Sequence, residues 1–133
     1  MTTVTSNKKQ ITASAETIFA FLSDFNNLEE LMPSKVVNWS STPTTCAFTI
    51  DGMAHLNMAF GKNVENEKIE MISKGKNPFD YDLSTNINKV DDTKCEVHII
   101  FNADMNAMIA MMAKKPLQNF VDILVEQLQE KYS

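Results

Sequence analysis

Two histidines, two cysteines, a closely spaced aspartate pair and Tyr81 carry most of the chemistry open to this 133-residue chain. His55 and His98 could trade protons as a general acid and base, provided both faced a common cavity. Asp80 and Asp82 could begin a metal site, but a metal needs more ligands, and no neighbouring histidine supplies one. Cys46 or Cys95 could act as a nucleophile only with a base beside it to take its proton. Tyr81 could orient a ligand carbonyl or hydroxyl through its phenol, or spend that hydroxyl on a partner within the core. Each possibility depends on which way the side chain faces, and so on the elements that hold it.

From Lys35 onward the apolar period is two, the period of a strand with one buried face. Val37 and Trp39 share a side. Cys46, Phe48 and Ile50 alternate with Thr45, Ala47 and Thr49. After the hairpin signal Asp51-Gly52, Leu56, Met58 and Phe60 alternate with His55, Asn57 and Ala59. Ile69 and Met71 continue the apolar set beyond a polar turn at Glu65–Glu67, and Ser73 follows them. A loop at Gly75–Pro78 leads to Phe79, Tyr81, Leu83, Thr85 and Ile87, set against Asp80, Asp82, Ser84, Asn86 and Asn88. After a turn at Asp91–Thr93, Cys95, Val97, Ile99, Phe101, Ala103 and Met105 alternate with Glu96, His98, Ile100, Asn102 and Asp104. This alternation puts both histidines and both aspartates on the wet face. Tyr81, Thr85, Ser73, Cys46 and Cys95 fall on the apolar face.

The ends of the chain read differently. Thr3–Thr12 is an edge-like first strand. Ser14 is an N-cap for a short helix whose stripe is Ile18, Phe21, Leu22 and Phe25. Asn26-Asn27 breaks that helix, and Leu28, Leu31 and Met32 mark one or two further turns stopped by Pro33. The stretch Asn106–Lys131 is long enough for a helix of about 39 Å. Met108, Met112, Phe120, Leu124 and Leu128 fall near one stripe of it. Pro116 removes a helical hydrogen bond, so a kink or a division of the helix is expected there. Met105, Met108, Met111 and Met112 are flexible enough to form a soft core or a deformable cavity wall.

Composition excludes several partners. Net charge is −5 and all twelve basic residues are lysines. Arginine is the usual fork for phosphate and for guanine, so nucleic acid is not expected as a partner. Acidity also disfavours attraction to an anionic membrane. With 44% hydrophobic and 22% charged residues the chain has the make-up of an ordinary globular protein, and residues 1–133 form a single domain. No apolar run approaches the roughly 20 residues of a membrane span. The N-terminus lacks the apolar core of a signal peptide, so a cytoplasmic location is expected. The two cysteines make no disulfide or metal pattern and should be reduced and buried. No cofactor and no metal are expected.

An α+β order emerges: one strand, two short helices, a run of strands in antiparallel sequence, then one long helix, with about seven strands in all. This order, together with Ile11–Asp24 as an opening strand-to-helix segment and Pro116–Leu128 as a closing helix, resembles the helix-grip fold. That fold belongs to the START-like superfamily, often grouped as SRPBCC, which includes lipid-transfer domains, birch-pollen-allergen proteins and polyketide cyclases. The resemblance implies a curved antiparallel sheet gripping the C-terminal helix, with a cavity between them. It also implies an apolar ligand, lipid- or polyketide-like, and an enzymatic role in a minority of members.

The expected wall of that cavity is Phe48, Met58, Met71, Tyr81, Leu83, Thr85, Val97, Phe101, Met105, Met108, Met112 and Phe120. The expected function is noncatalytic binding of a small, mostly apolar and neutral molecule, by a monomer or weak homodimer that does not insert into a membrane. A charged head could be accommodated only at the rim. The alternatives are a cyclase- or hydratase-like enzyme, with Tyr81 orienting a carbonyl, and an interaction or dimerisation module using a methionine-lined end. Hairpin parity places Met53, Pro78, Phe79, Met105 and Met108 at one end of the sheet, the expected mouth.

Overall fold

A computed structural model describes residues 1–133. The chain forms β1 (Thr2–Thr5), β2 (Lys9–Ile11), α1 (Ala15–Leu22), α2 (Phe25–Leu28) and a 3-10 turn at Glu29–Leu31. It continues through β3 (Val36–Ser41), β4 (Thr45–Ile50), β5 (Ala54–Phe60), β6 (Lys68–Ser73), β7 (Tyr81–Asp91) and β8 (Lys94–Ala103), and ends in α3 (Ala107–Lys131). All eight strands join one antiparallel sheet, ordered β1-β8-β7-β6-β5-β4-β3, with β2 also paired to β8.

The expected first strand is two strands. Thr5 pairs with Ile100 and Lys9 with Val97, so four steps on one side face three on the other. Ser6 absorbs the difference as a bulge. Its N–H donates to the Ile99 carbonyl at 2.8 Å, and its hydroxyl accepts from the Ile99 N–H at 2.8 Å. The sheet therefore has eight strands where about seven were expected.

The short helices start where their caps dictate. Ser14 Oγ accepts from the Thr17 N–H at 3.1 Å. The helical path breaks at Ser23-Asp24, not at Asn26-Asn27 as the sequence suggested. Asp24 caps α2 by accepting from the Asn26 N–H at 2.8 Å, which leaves both asparagines inside the second helix. Phe25 is buried beneath and stacks on Phe60 at 4.2 Å.

From β4 to β8 the alternation holds as expected. Cys46, Phe48, Ile50, Leu56, Met58, Ile69, Met71, Tyr81, Leu83, Ile87, Cys95, Val97, Ile99 and Phe101 are all buried on one side. In β3 it does not hold. Val37 pairs with Thr49 and Ser40 with Ala47, three steps against two. Asn38 takes up the extra residue at φ 56°, a left-handed conformation that asparagine tolerates better than most residues. Val37 consequently faces out, 40% exposed, while Trp39 turns in toward the core. The two do not share a side.

α3 is continuous through Pro116. The proline lacks an N–H, so the Met112 carbonyl loses its helical donor, at a point where Met112 is open to solvent. The helix is not divided there, which corrects the expected start of a second helix near Pro116. The buried stripe is Ala113, Leu117, Phe120, Val121, Leu124, Val125 and Leu128. α3 is tied to the β1–β2 edge by hydrogen bonds. Gln118 donates to the Thr5 carbonyl at 2.9 Å, the Asn7 N–H donates to Asp122 at 2.8 Å, and Gln129 donates to the Gln10 carbonyl at 3.0 Å. At its far end Lys131 pairs with Glu30 of the 3-10 turn at 3.5 Å.

Candidate functional site: an apolar cavity and an outer groove

Between the concave face of the sheet and α3 is an internal void of about 20 Å³, with sixteen of its seventeen lining residues hydrophobic. The sheet supplies Phe48, Met58, Met71, Leu83, Thr85 and Val97 to this wall, and α3 supplies Phe120. Those seven were expected from sequence. The void also takes Cys46 and Ile99 from the sheet, Leu124, Val125 and Leu128 from α3, and Trp39 from β3. Leu22, Leu28, Leu31 and Met32 close it from the side of the short helices. Sequence reasoning assigned no site role to these four, although the Leu28, Leu31, Met32 spacing before Pro33 does mark an apolar face. Trp39 was hidden by the bulge.

The remaining expected residues fall elsewhere. Tyr81 and Phe101 are buried on the inner face, yet they stack on each other at 5.3 Å and neither reaches the void. Met105 is half-buried against the core. Met108 and Met112 stand in the open, 73% and 75% exposed, with Met111 at 82%. This corrects their placement in the cavity wall. At about 100° per residue they fall opposite the buried stripe of Ala113, Leu117 and Leu124, on the face shared with Lys115, Asp122 and Glu126.

The hydroxyl of Tyr81 is already engaged: it donates to the Asn57 carbonyl at 2.8 Å. Burial, with Cys46 nearby, holds this phenol well above its ordinary range. Burial also pushes the Cys46 thiol up to about 12, so it is a neutral, apolar part of the wall. Cys95, also buried and unpaired, is raised chiefly by burial and secondarily by Glu16. Thr85 carries the only hydroxyl on the lining, and no carboxylate, imidazole or amine contributes to it.

Both histidines are off the inner face. His55 is exposed and shares a hydrogen bond with Thr49 at 2.9 Å. His98 is half-buried on the outer side, where its Nδ1 has no partner. Burial, then the charge of Lys8, holds its imidazole below the usual range. No three His, Cys, Asp or Glu residues converge as a metal group would require.

Of the five residues expected at one end of the sheet, Met53 and Pro78 border one shallow depression with Lys76 and Asn77, and the Asp104 N–H bonds the Asp80 carbonyl at 2.9 Å. The opening that reaches toward the void is to one side of it. A groove of about 210 Å³ runs between α3 and the β3–β4 edge, lined by Pro33, Lys35, Val36, Ile50 and Asp51 opposite Lys115, Pro116, Asn119, Phe120 and Ile123. Phe120 belongs to both the groove and the void.

No family model matches the sequence, and no curated protein matches it. Solved structures do match, over almost the whole chain. A START superfamily protein from Mycobacterium smegmatis aligns with a TM-score of 0.71 at 16% identity, over 98% of this chain and 96% of that one. The chain has the START-like helix-grip fold. The START-like likeness extends to the protein XoxI from Bacillus cereus, with a TM-score of 0.77 at 12% identity over 99% and 96% of the two chains. A Thermobifida fusca protein aligns with a TM-score of 0.72 at 17% identity over 99% and 93%. At such identities the shared property is the START-like fold itself. No helix of the chain is long and apolar enough to cross a membrane.

Proposed function

We propose that this START-like domain binds a small, mostly apolar molecule between its sheet and α3, without catalysing a reaction on it. The observation that carries this reading is the lining: sixteen of seventeen residues are hydrophobic, and the single hydroxyl belongs to Thr85. Each methylene moved from water into such a wall returns about 0.8 kcal/mol. A catalytic reading needs a convergent acid, base or activated nucleophile, and the wall offers a neutral thiol and a threonine. The two unpaired, buried thiols fit a reducing compartment such as the cytoplasm.

The void as it stands has room for about one water, whereas sites for drug-sized ligands measure about 300–1,000 Å³. This cavity is therefore closed, and a ligand enters by displacing its wall. Met32, Met58 and Met71 are the softest parts of that wall, because an unbranched thioether side chain repacks at little cost. Trp39, the sole tryptophan, lines the void and stacks on Phe48 at 5.4 Å. Its emission should shift saturably when a panel of fatty alcohols and aromatic lipids is added, with a matching mass increase by native mass spectrometry. No saturable shift and no bound species would contradict the proposal.

A second reading rests on the exposed face of Met108, Met111 and Met112. Three large apolar side chains on one exposed stretch of helix suit a weak homodimer contact. Light scattering would detect it, and Met108→Glu or Met112→Glu would abolish it without unfolding the domain. A strictly monomeric protein at high concentration would remove this reading.

A further inference from the structure

We infer that the groove between α3 and the β3–β4 edge holds the charged head of an amphipathic carboxylate, whose apolar tail passes Phe120 into the void. This rests on the proposed ligand binding and specifies its substrate class. The groove and the void share one residue, Phe120, so displacing that ring joins them. α3 is fastened by hydrogen bonds to the opposite edge, through Gln118, Asp122 and Gln129. Opening on the β3–β4 side therefore breaks none of those ties.

Charge assigns the head. The void contains nothing to neutralise an ion, and an unpaired charge buried there would cost several kcal/mol. The groove is solvent-open and is lined by Lys35 on one wall and by Lys115 and Asn119 of α3 on the other. Neither lysine is in an ion pair: the pairs in this protein are Lys89 with Asp92 and Lys131 with Glu30. Asp51 is the one acidic residue of the lining, so the groove carries a net single positive charge, in a chain whose overall balance is −5. A monoanion matches that balance. A neutral head would leave both ammonium groups unused, and a cation would be repelled.

The test uses two probes with the same tail, decanoate and decanol, titrated at pH 8 and low salt while Trp39 emission is read. In the double variant Lys35→Gln/Lys115→Gln, decanoate should bind about fivefold more weakly, the scale of a partly exposed ion pair. Decanol should bind as in the wild type, and decanoate binding should no longer weaken with added salt, because Asp51 then leaves the groove with a single negative charge. Both lysines are exposed, and an unchanged melting temperature would verify that the variant is folded. If both probes bind the wild type and the variant weakens neither, or weakens both alike, the head-group assignment falls while ligand binding stands. If neither probe binds the wild type, the assignment and the ligand-binding proposal fall together.

Discussion

Phe48 on β4 and Phe120 on α3 stack across the gap between sheet and helix, their ring centroids 5.7 Å apart and their planes 22° from parallel. Trp39 stacks on Phe48 at 5.4 Å. All three rings line the internal void, and Phe120 also lines the outer groove.

Removing the helix-borne ring should trade stability for space. Phe120→Ala should cost about 3–5 kcal/mol, as truncations of buried phenylalanines do, measurable as a shift in the urea midpoint. The apolar space left behind should bind benzene, as dry engineered cavities do, while the wild type should not. A variant that is destabilised yet takes up no benzene would show that the wall collapses inward.

Tyr81 should prove structural. The Asn57 carbonyl that accepts its hydroxyl also accepts the Lys74 N–H at 3.1 Å, so Tyr81→Phe leaves that acceptor with one donor. The expected cost is about 1 kcal/mol of stability, with unchanged affinity for decanol. A large loss of ligand affinity at unchanged stability would restore Tyr81 as a ligand-orienting group.

The inner face of β4 to β8 is legible because large apolar residues recur at nearly every second position there, although Ile72 and Ile100 interrupt the polar side. The sequence conceals Trp39 because the one-residue bulge at Asn38 reverses the parity of β3, and asparagine in the left-handed region leaves no mark on an apolar pattern. The methionines at 108 and 112 mislead for a different reason. At about 100° per residue Met108 falls half a turn from Leu117, and Met112 falls beside Lys115 and Asn119, so both stand on the polar face of α3 and not on its buried stripe. Pro116 does not divide α3, because its missing hydrogen bond falls where the Met112 carbonyl can turn to water. The groove combines residues from α3, β3 and β4 with no shared motif, so nothing local in the sequence announces it.

Asn38 gives a direct check on the bulge. Asn38→Gly should be close to neutral, since glycine adopts φ 56° without strain. Asn38→Val should cost about 1–2 kcal/mol, the penalty of a β-carbon in the left-handed region. It should also red-shift Trp39 emission as the indole loses its inward orientation and its Nε1 hydrogen bond to Ser41 at 3.1 Å. Equal stability of the two variants would contradict the assignment.

The buried thiol of Cys46 predicts an alkaline limit. Folding raises this group from its ordinary 9.0 to about 12, so the folded state keeps its proton where the unfolded state releases it. Its stabilising contribution is complete below pH 9 and is lost as the pH rises toward 12. Tyr81 and Cys95 act in the same direction. Thermal melts from pH 8 to 11 should show a declining midpoint, with a shallower decline in Cys46→Ala. Native protein should also resist iodoacetamide at pH 8 and react only once unfolded. Rapid alkylation of the native thiol would overturn this.

Six of the nine methionines allow the most direct test of ligand binding between sheet and helix, because they form two separate sets. Met32, Met58 and Met71 line the void, while Met108, Met111 and Met112 project into solvent. With methyl-labelled methionine, titration with decanol should move the first three resonances saturably and leave the second three in place. Shifts confined to Met108, Met111 and Met112, or an interior set that stays fixed at saturating decanol, would contradict it.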